Sequence, residues 1–184
     1  MTANDQPLSR FGPVATAEFN VDWNAVYRQE LARIYNYFRY RLGDDALAED
    51  LTSATFEKAW RGREQYRRDL AAFSTWLLTI ARNVATDYFR SPGARRSRSQ
   101  VSFERLHDYP APAPPDEQYA RQAELERLGA LLAQLPDRER DLIALKYGAE
   151  LNNREIARLT RMSESNVGTT LYRVVRKLRE QWEG

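Results

Sequence analysis

The sequence predicts an all-α protein: two small helical domains joined by a flexible linker. Three observations predict it. Apolar residues recur at three- and four-residue steps in several separate stretches, which lays a stripe along one side of a 3.6-residue helix. Those stretches are punctuated by capping side chains, Gly and Pro. Between two groups of them, residues 91–117 lose all periodicity and carry the run Pro110-Ala-Pro-Ala-Pro-Pro115, which favours an extended, semi-rigid spacer. At 184 residues and 42% hydrophobic, the chain has room for one domain or two small ones with packed cores. The division expected is a mobile tail over 1–20, a first domain over 21–92, a linker over 93–117 and a second domain over 118–184.

From Asp22 the pattern is helical, with Tyr27, Leu31, Ile34, Phe38 and Leu42 stepping by four, three, four and four. Gly43 suits the left-handed position that ends a helix. Tyr35, Tyr37 and Tyr40 widen the apolar surface, so this helix is expected to pack on more than one side. Asp44-Asp45 supply capping oxygens for a second helix, roughly Ala46 to Trp60, with Leu47, Leu51, Ala54 and Phe56 or Ala59 inward. Gly62 to Ala72 is a charged connection containing Tyr66. The stretch Phe73–Arg90 reads as a two-faced helix: Trp76, Leu77, Ile80, Ala81, Val84 and Tyr88 form the apolar stripe, while Arg82, Asn83, Thr86, Asp87 and Arg90 fall largely off it. Ser74 is its expected cap, and Pro92-Gly93 its stop.

After the linker, Leu125, Leu128, Leu132 and Leu135 mark a helix halted by Pro136. Asp137 is expected to cap a helix from Arg138 to about Tyr147, closed by Gly148. Asn152-Asn153-Arg154-Glu155 reads as a capping box opening a short helix with Ile156 and Leu159 inward. Thr160-Arg161-Met162 makes a turn, and Ser163 caps a last helix with Val167, Leu171, Val174 and Leu178 inward. Many turns of this kind place Gly where Arg161 stands. A left-handed backbone costs a non-Gly residue on the order of 1 kcal/mol, so another conformation is expected there.

Charge is distributed unevenly, although the net value is only +2. Residues 22–60 hold Asp22, Glu30, Asp44, Asp45, Glu49, Asp50 and Glu57 against Arg28, Arg33, Arg39, Arg41 and Lys58, net −2. Residues 73–98 hold Arg82, Arg90, Arg95, Arg96 and Arg98 against Asp87 alone, net +4. An acidic half and a basic stretch suit different partners. The chain has no cysteine, which excludes disulfides, thiolate metal sites and a cysteine nucleophile. His107 alone cannot build a zinc site. No cofactor and no metal are expected. The absence of a long apolar run or of a secretory signal leads us to expect a soluble, cytoplasmic protein. The carboxylates of residues 44–57 lack the nucleophile or metal-ligand pattern of an active site and suit helix N-termini better than acid–base catalysis.

Short helix, tight turn and longer capped helix form the helix-turn-helix arrangement. Its second helix opens with small polar residues that can meet base edges, Glu164, Ser165, Asn166, Thr169 and Thr170, and continues into Arg173, Arg176 and Lys177, which can meet phosphates. A plain helical hairpin has no reason to pair those two edges. On this reading alone three classes stay open: a DNA-binding factor that works with a polymerase, a regulator that binds duplex by itself, and a helical enzyme or adaptor.

Both halves together resemble the group IV, extracytoplasmic-function (ECF) sigma factors of bacterial RNA polymerase. Asp44-Asp-Ala-Leu-Ala-Glu-Asp-Leu-Thr-Ser-Ala-Thr-Phe-Glu-Lys-Ala-Trp60 is similar to the family's region 2.2. Trp76-Leu-Leu-Thr-Ile-Ala-Arg-Asn83 and Asp87-Tyr-Phe-Arg90 are similar to its regions 2.3 and 2.4. Leu135-Pro-Asp-Arg-Glu-Arg140 and Asn153-Arg-Glu-Ile-Ala157 with Met162-Ser-Glu-Ser-Asn-Val167 match region 4. LuxR-type response regulators carry a similar helix-turn-helix, so the specific signal is both blocks in order across a linker. The resemblance implies that Glu49, Asp50, Thr52, Ser53 and Glu57 contact the clamp helices of the polymerase's largest subunit. It implies that Tyr66, Arg82, Asn83, Thr86, Asp87 and Arg90 address the −10 element, with Trp76 as core support. Glu164, Ser165, Asn166, Thr169, Thr170, Arg173, Arg176 and Lys177 would read the −35 duplex. Arg95, Arg96 and Arg98 would meet nucleic acid along the linker. The implied partners are core RNA polymerase, promoter DNA and an anti-sigma factor, and the implied role is promoter recognition and melting without catalysis.

Overall fold

The computed structural model describes residues 22–91 and 115–183, with side chains from 123 onward in the second segment. The expected tail over 1–20, the linker up to residue 114, Arg95, Arg96, Arg98 and His107 lie outside the described residues. Within them every regular element is helical.

Helix α1, Trp23–Leu42, begins where Asp22 accepts the backbone N–H groups of Asn24 and Ala25 at 3.1 Å. It ends at Gly43, whose φ of 74° is the left-handed turn expected. Helix α2, Asp45–Arg61, is capped by Asp44, which accepts from Leu47 N–H at 2.8 Å. Asp45 does not cap: it pairs with Arg39 at 2.8 Å. Partial burial raises the Asp45 carboxyl above its ordinary range, and the Arg39 guanidinium opposes that shift. The inward face of α2 is rotated from the expected one, with Ala48, Thr52, Thr55, Phe56 and Ala59 buried and Leu47, Leu51 and Ala54 only partly so. Small residues there let α2 lie close to its neighbours, and the two threonines satisfy their hydroxyls within the helix, on Ala48 O and Leu51 O.

A short 3₁₀ turn at Arg63–Gln65 leads to α3, Phe73–Arg90. Its buried residues are Leu77, Leu78, Ala81, Val84 and Ala85: Leu77, Ala81 and Val84 belong to the expected stripe, Leu78 and Ala85 do not, and the expected Trp76, Ile80 and Tyr88 are only partly buried. Ser74 is not its cap: the helix starts one residue earlier, after Ala72, and no side chain caps it. A ring cluster anchors this end instead. Trp23 meets Trp60 and Phe73 at centroid distances of 5.3 and 5.6 Å, and Tyr66, Phe73 and Trp76 lie 5.2–5.3 Å from one another.

In the second half, α4 spans Pro115–Ala133 and α5 spans Asp137–Ile143. Asp137 is the first residue of α5 and makes no cap bond. Past Ile143 the helix widens into a π segment, Ala144–Gly148, in which Ala149 N–H donates to Ala144 O at 2.9 Å. Helices α6, Asn153–Thr160, and α7, Glu164–Glu183, form the helix-turn-helix. The capping box is present in both directions, Asn152 Oδ1 with Glu155 N–H at 3.0 Å and Glu155 Oε2 with Asn152 N–H at 2.8 Å. Ser163 Oγ accepts from Asn166 N–H at 3.2 Å. Arg161 corrects the expectation for the turn, because it is left-handed, at φ 58° and ψ 32°. The gain that offsets this conformation is visible: Met162 N–H returns to Ala157 O at 3.1 Å, a carbonyl that also accepts from Arg161 N–H, so the donor just past the helix end has a partner.

The halves are not separate. α1 packs on α2 and α3 with one side and on α5 and the π segment with another, and residues of both halves share one apolar cluster. Tyr37, fully buried on α1, donates its hydroxyl to Asp141 of α5 at 2.8 Å. Gly148 allows the backbones to touch: a Cβ there would sit 2.7 Å from Asn36 O and 3.0 Å from Tyr37 Cα.

Two predictions follow from these contacts. Arg161→Gly removes the left-handed penalty and raises unfolding stability by about 1 kcal/mol, seen as a higher denaturant midpoint at unchanged slope. The second concerns Tyr37, whose pKa is pushed well above its ordinary 10.0, first by burial and then by the Asp141 charge. A folded-state pKa raised in this way gives stability that is complete below the unfolded value and is lost on going above it. The advantage of the native protein over Tyr37→Phe therefore declines by about 1.4 kcal/mol per pH unit above pH ~10, followed by denaturant titration at each pH.

Candidate polymerase and nucleic-acid interfaces

Three groups of side chains emerge on three helices. On α2, Glu49, Asp50, Ser53 and Glu57 are exposed, and their spacing places them on adjoining lines of the helix surface. Glu57 pairs with Arg61 at 2.5 Å, an exposed pair worth little. Thr52 leaves this set. It is buried, and its hydroxyl is spent on Ala48 O at 2.6 Å, because its position faces the core and not the acidic surface.

On α3, Asn83, Thr86, Asp87 and Arg90 are exposed along one side, opposite the buried stripe. Thr86 donates to Arg82 O at 2.8 Å, and Asp87 meets Lys58 of α2 at 3.3 Å. Tyr66 is half-buried in the ring cluster, with its hydroxyl on Ala71 O at 3.2 Å, so it folds the 62–72 connection against α3. Trp76 is a partly buried member of the same cluster, as expected of core support. Arg82 departs from its expected place. Its guanidinium donates to Asp141 through Nε at 3.1 Å and Nη2 at 2.8 Å, and to Leu159 O through Nη1 at 2.8 Å. In this arrangement it is engaged by the second half of the chain and not presented with Asn83.

On α7, Glu164, Ser165, Asn166, Thr169, Arg173, Arg176 and Lys177 are exposed. Asn166, Thr169, Arg173 and Arg176 are spaced by three and four, so a small polar front and a basic rear share one face. Arg176 meets Glu180 at 3.4 Å. Thr170 leaves this set, since it is buried and donates to Asn166 Oδ1 at 3.3 Å, orienting that amide. The opposite face buries Val167, Leu171 and Val174.

Sequence reasoning missed the charged network between the halves. Arg41 of α1 is nearly buried, lies 2.8 Å from Asp137 and 3.7 Å from Asp141, and stacks over Phe89 at 4.6 Å. The available signal was a pair of matching intervals: Tyr37 and Arg41 on one helix, Asp137 and Asp141 on the other, each four residues apart. Nothing in the sequence said that those two faces meet.

Comparison with known proteins agrees with this organisation. Residues 26–96 match Sigma-70 region 2, and residues 125–178 match Sigma-70, region 4. The ECF RNA polymerase sigma factor SigL of Mycobacterium tuberculosis is 31% identical over 174 residues, covering 94% of this chain and 94% of its own length. SigM of Bacillus subtilis is 29% identical over 155 residues, covering 84% of this chain and 91% of its own length. BldN of Streptomyces coelicolor is 32% identical over 154 residues, covering 83% of this chain but 57% of that longer relative. Among solved structures, the sigma factor RpoE of Bartonella quintana, crystallised with the anti-sigma factor NepR, shares the fold at a TM-score of 0.67 and 20% identity, over 88% of this chain and 97% of that one. With both helical halves matched in order, and with a relative aligned along nearly its whole length, this chain belongs to the ECF sigma factors of RNA polymerase, which serve promoter recognition and transcription initiation.

Proposed function

We propose that this chain works in the cytoplasm by docking on core RNA polymerase through the acidic face of α2, opening the −10 element with α3 and reading the −35 duplex with α7. One observation carries the reading: three differently charged exposed faces sit on three helices whose other faces form the core. The exposed Glu49, Asp50, Ser53 and Glu57 suit a basic helical partner, the clamp helices, and complementary charge speeds that encounter. Asn83, Thr86, Asp87 and Arg90 present hydrogen-bonding groups and one cation to an unstacked strand, and the ring cluster under residues 62–72 gives that surface a rigid base. Glu164, Ser165, Asn166 and Thr169 meet base edges, while Arg173, Arg176 and Lys177 meet phosphates.

On this assignment residues 21–92 form the polymerase- and −10-binding unit, 118–184 the −35-binding unit, and 93–117 the connection between them. The chain is no catalyst: it supplies promoter choice and melting, and the polymerase makes RNA. Among the described residues no cluster of His, Cys, Asp or Glu suits a metal ion, and no helix is long and apolar enough to cross a membrane. An anti-sigma factor is a further proposed partner, on the strength of the fold shared with RpoE in its NepR complex.

Run-off transcription with purified core polymerase tests the reading, and promoter-specific transcripts should depend on this chain. Tight, specific binding of free duplex without any polymerase binding would instead make it a regulator. Asn83→Ala should lower transcription from promoters that depend on the −10 element about tenfold while sparing polymerase binding, and an equal loss of both would make Asn83 structural. Arg173→Ala should weaken −35 binding across sequences and reduce the salt slope by about one, since each phosphate contact acts through counterion release. A change in base preference would move Arg173 from the phosphate-contacting to the base-reading group.

A further inference from the structure

Threonine hydroxyls in these helices bond in one recurring way. Thr52, Thr55, Thr79, Thr86 and Thr160 each donate to the backbone carbonyl four residues back, at 2.6–2.8 Å. Thr170 of α7 departs from this. Its hydroxyl donates to a side chain, Oδ1 of Asn166, at 3.3 Å. Thr170 is only 8% exposed, so its hydroxyl needs a partner within the chain.

Asn166 is exposed and is the third residue of α7, among the leading residues that meet base edges in a helix-turn-helix. Its backbone N–H is held by Ser163 Oγ at 3.2 Å, which fixes where its side chain leaves the helix. An Asn amide has an accepting end and a donating end. Here the accepting oxygen is turned back to Thr170, and Nδ2 has no partner among the described residues.

Major-groove edges sort the bases by this polarity. Guanine offers two acceptors, O6 and N7, and thymine offers O4 beside a methyl group. Cytosine offers an N4 donor, and adenine sets an N6 donor beside its N7 acceptor. Adenine takes an Asn amide by both ends at once, with N6 on the oxygen, and that pairing needs the oxygen outward. An amide that presents its NH2 alone fits guanine best. Glu164, two residues earlier, carries only acceptors and suits an amino group, so it is not a source of guanine preference.

We propose that Asn166 reads guanine in the −35 duplex through its Nδ2 donors, and that the buried Thr170 sets this preference by holding Oδ1 away from the DNA. The inference rests on the assignment of α7 to the −35 duplex and adds to it the base read at one position. Thr170 touches no base and is a positioning residue: its effect passes through the amide. Part of the specificity of α7 is thereby set by a residue on its buried side.

The test uses the full chain with core polymerase and templates in which each −35 base pair is randomised, with transcripts counted by sequence. The native protein should favour guanine over adenine about tenfold at one position, and Asn166→Ala should flatten the preference there and nowhere else. Thr170→Val keeps the shape of the side chain and removes the hydroxyl, which frees the amide oxygen. It should bring adenine to within about twofold of guanine at that same position, while Thr170→Ser, which retains the hydroxyl, keeps the native order. If Thr170→Val loses helical signal by circular dichroism, Asn166→Asp at the exposed position decides. That change exchanges donors for acceptors and should move the preference from guanine to cytosine. Adenine favoured by the native protein at the Asn166-dependent position overturns the proposal and leaves the assignment of α7 standing. So does a guanine preference that survives Thr170→Val or Asn166→Asp, or a Thr170→Val loss spread evenly over all −35 positions. Transcription by the native protein that is indifferent to every −35 base pair removes the assignment of α7 and the proposal with it.

Discussion

The carboxylate of Asp141 is the constraint on which the rest of the arrangement depends. Tyr37 and Arg41 stand four residues apart on α1, and Asp137 and Asp141 stand four residues apart on α5, so each pair occupies one face of its helix. Setting the pairs opposite each other fixes which turn of α1 meets which turn of α5. Arg41 is almost wholly buried, and a guanidinium in that position needs anionic partners, because an uncompensated buried charge costs several kcal/mol. The widened turn at Ala144–Gly148 completes the fit by bringing a residue without a side chain against Asn36. The apolar cluster stabilises contact in general, and these polar groups select one contact.

That selection links the fold to the function. α3 is asked to do two things at once: Leu77, Ala81 and Val84 hold the first half together, and Asn83, Thr86, Asp87 and Arg90 stay in solvent. Arg82 lies between the two faces and turns toward the second half, onto Asp141 and Leu159 O. The acidic surface of α2, by contrast, is exposed.

Much of the fold was legible in the sequence because its determinants are local. The stripes on α3 and α7, the caps at Asp44, Asn152 and Ser163, and the left-handed Gly43 all act within a few residues. The failures have tertiary causes. The face of α2 was misjudged because Leu47 and Leu51 are larger than Ala48, Thr52 and Thr55, yet close packing favoured the small residues. Thr52 and Thr170 look like surface residues by type and are buried because each has a hydrogen-bond acceptor one helical turn back. Ser74 and Asp137 look like caps and are not. Arg161 takes the conformation expected of glycine because the Met162 N–H gains a partner thereby. The exposed faces of α3 and α7 were largely recoverable from spacing, that of α2 only in part, and the meeting of the two halves not at all.

On the proposed function this one chain both fixes a polymerase at the −35 duplex and unpairs the −10 element. Permanganate, which oxidises unstacked thymines, and nuclease footprinting on the same promoter complex measure the two together. With core polymerase and this chain, protection at −35 and reactive thymines at −10 are expected, and neither when the chain is omitted. Protection at −35 from the chain alone, with no thymine becoming reactive when core polymerase is added, would contradict it.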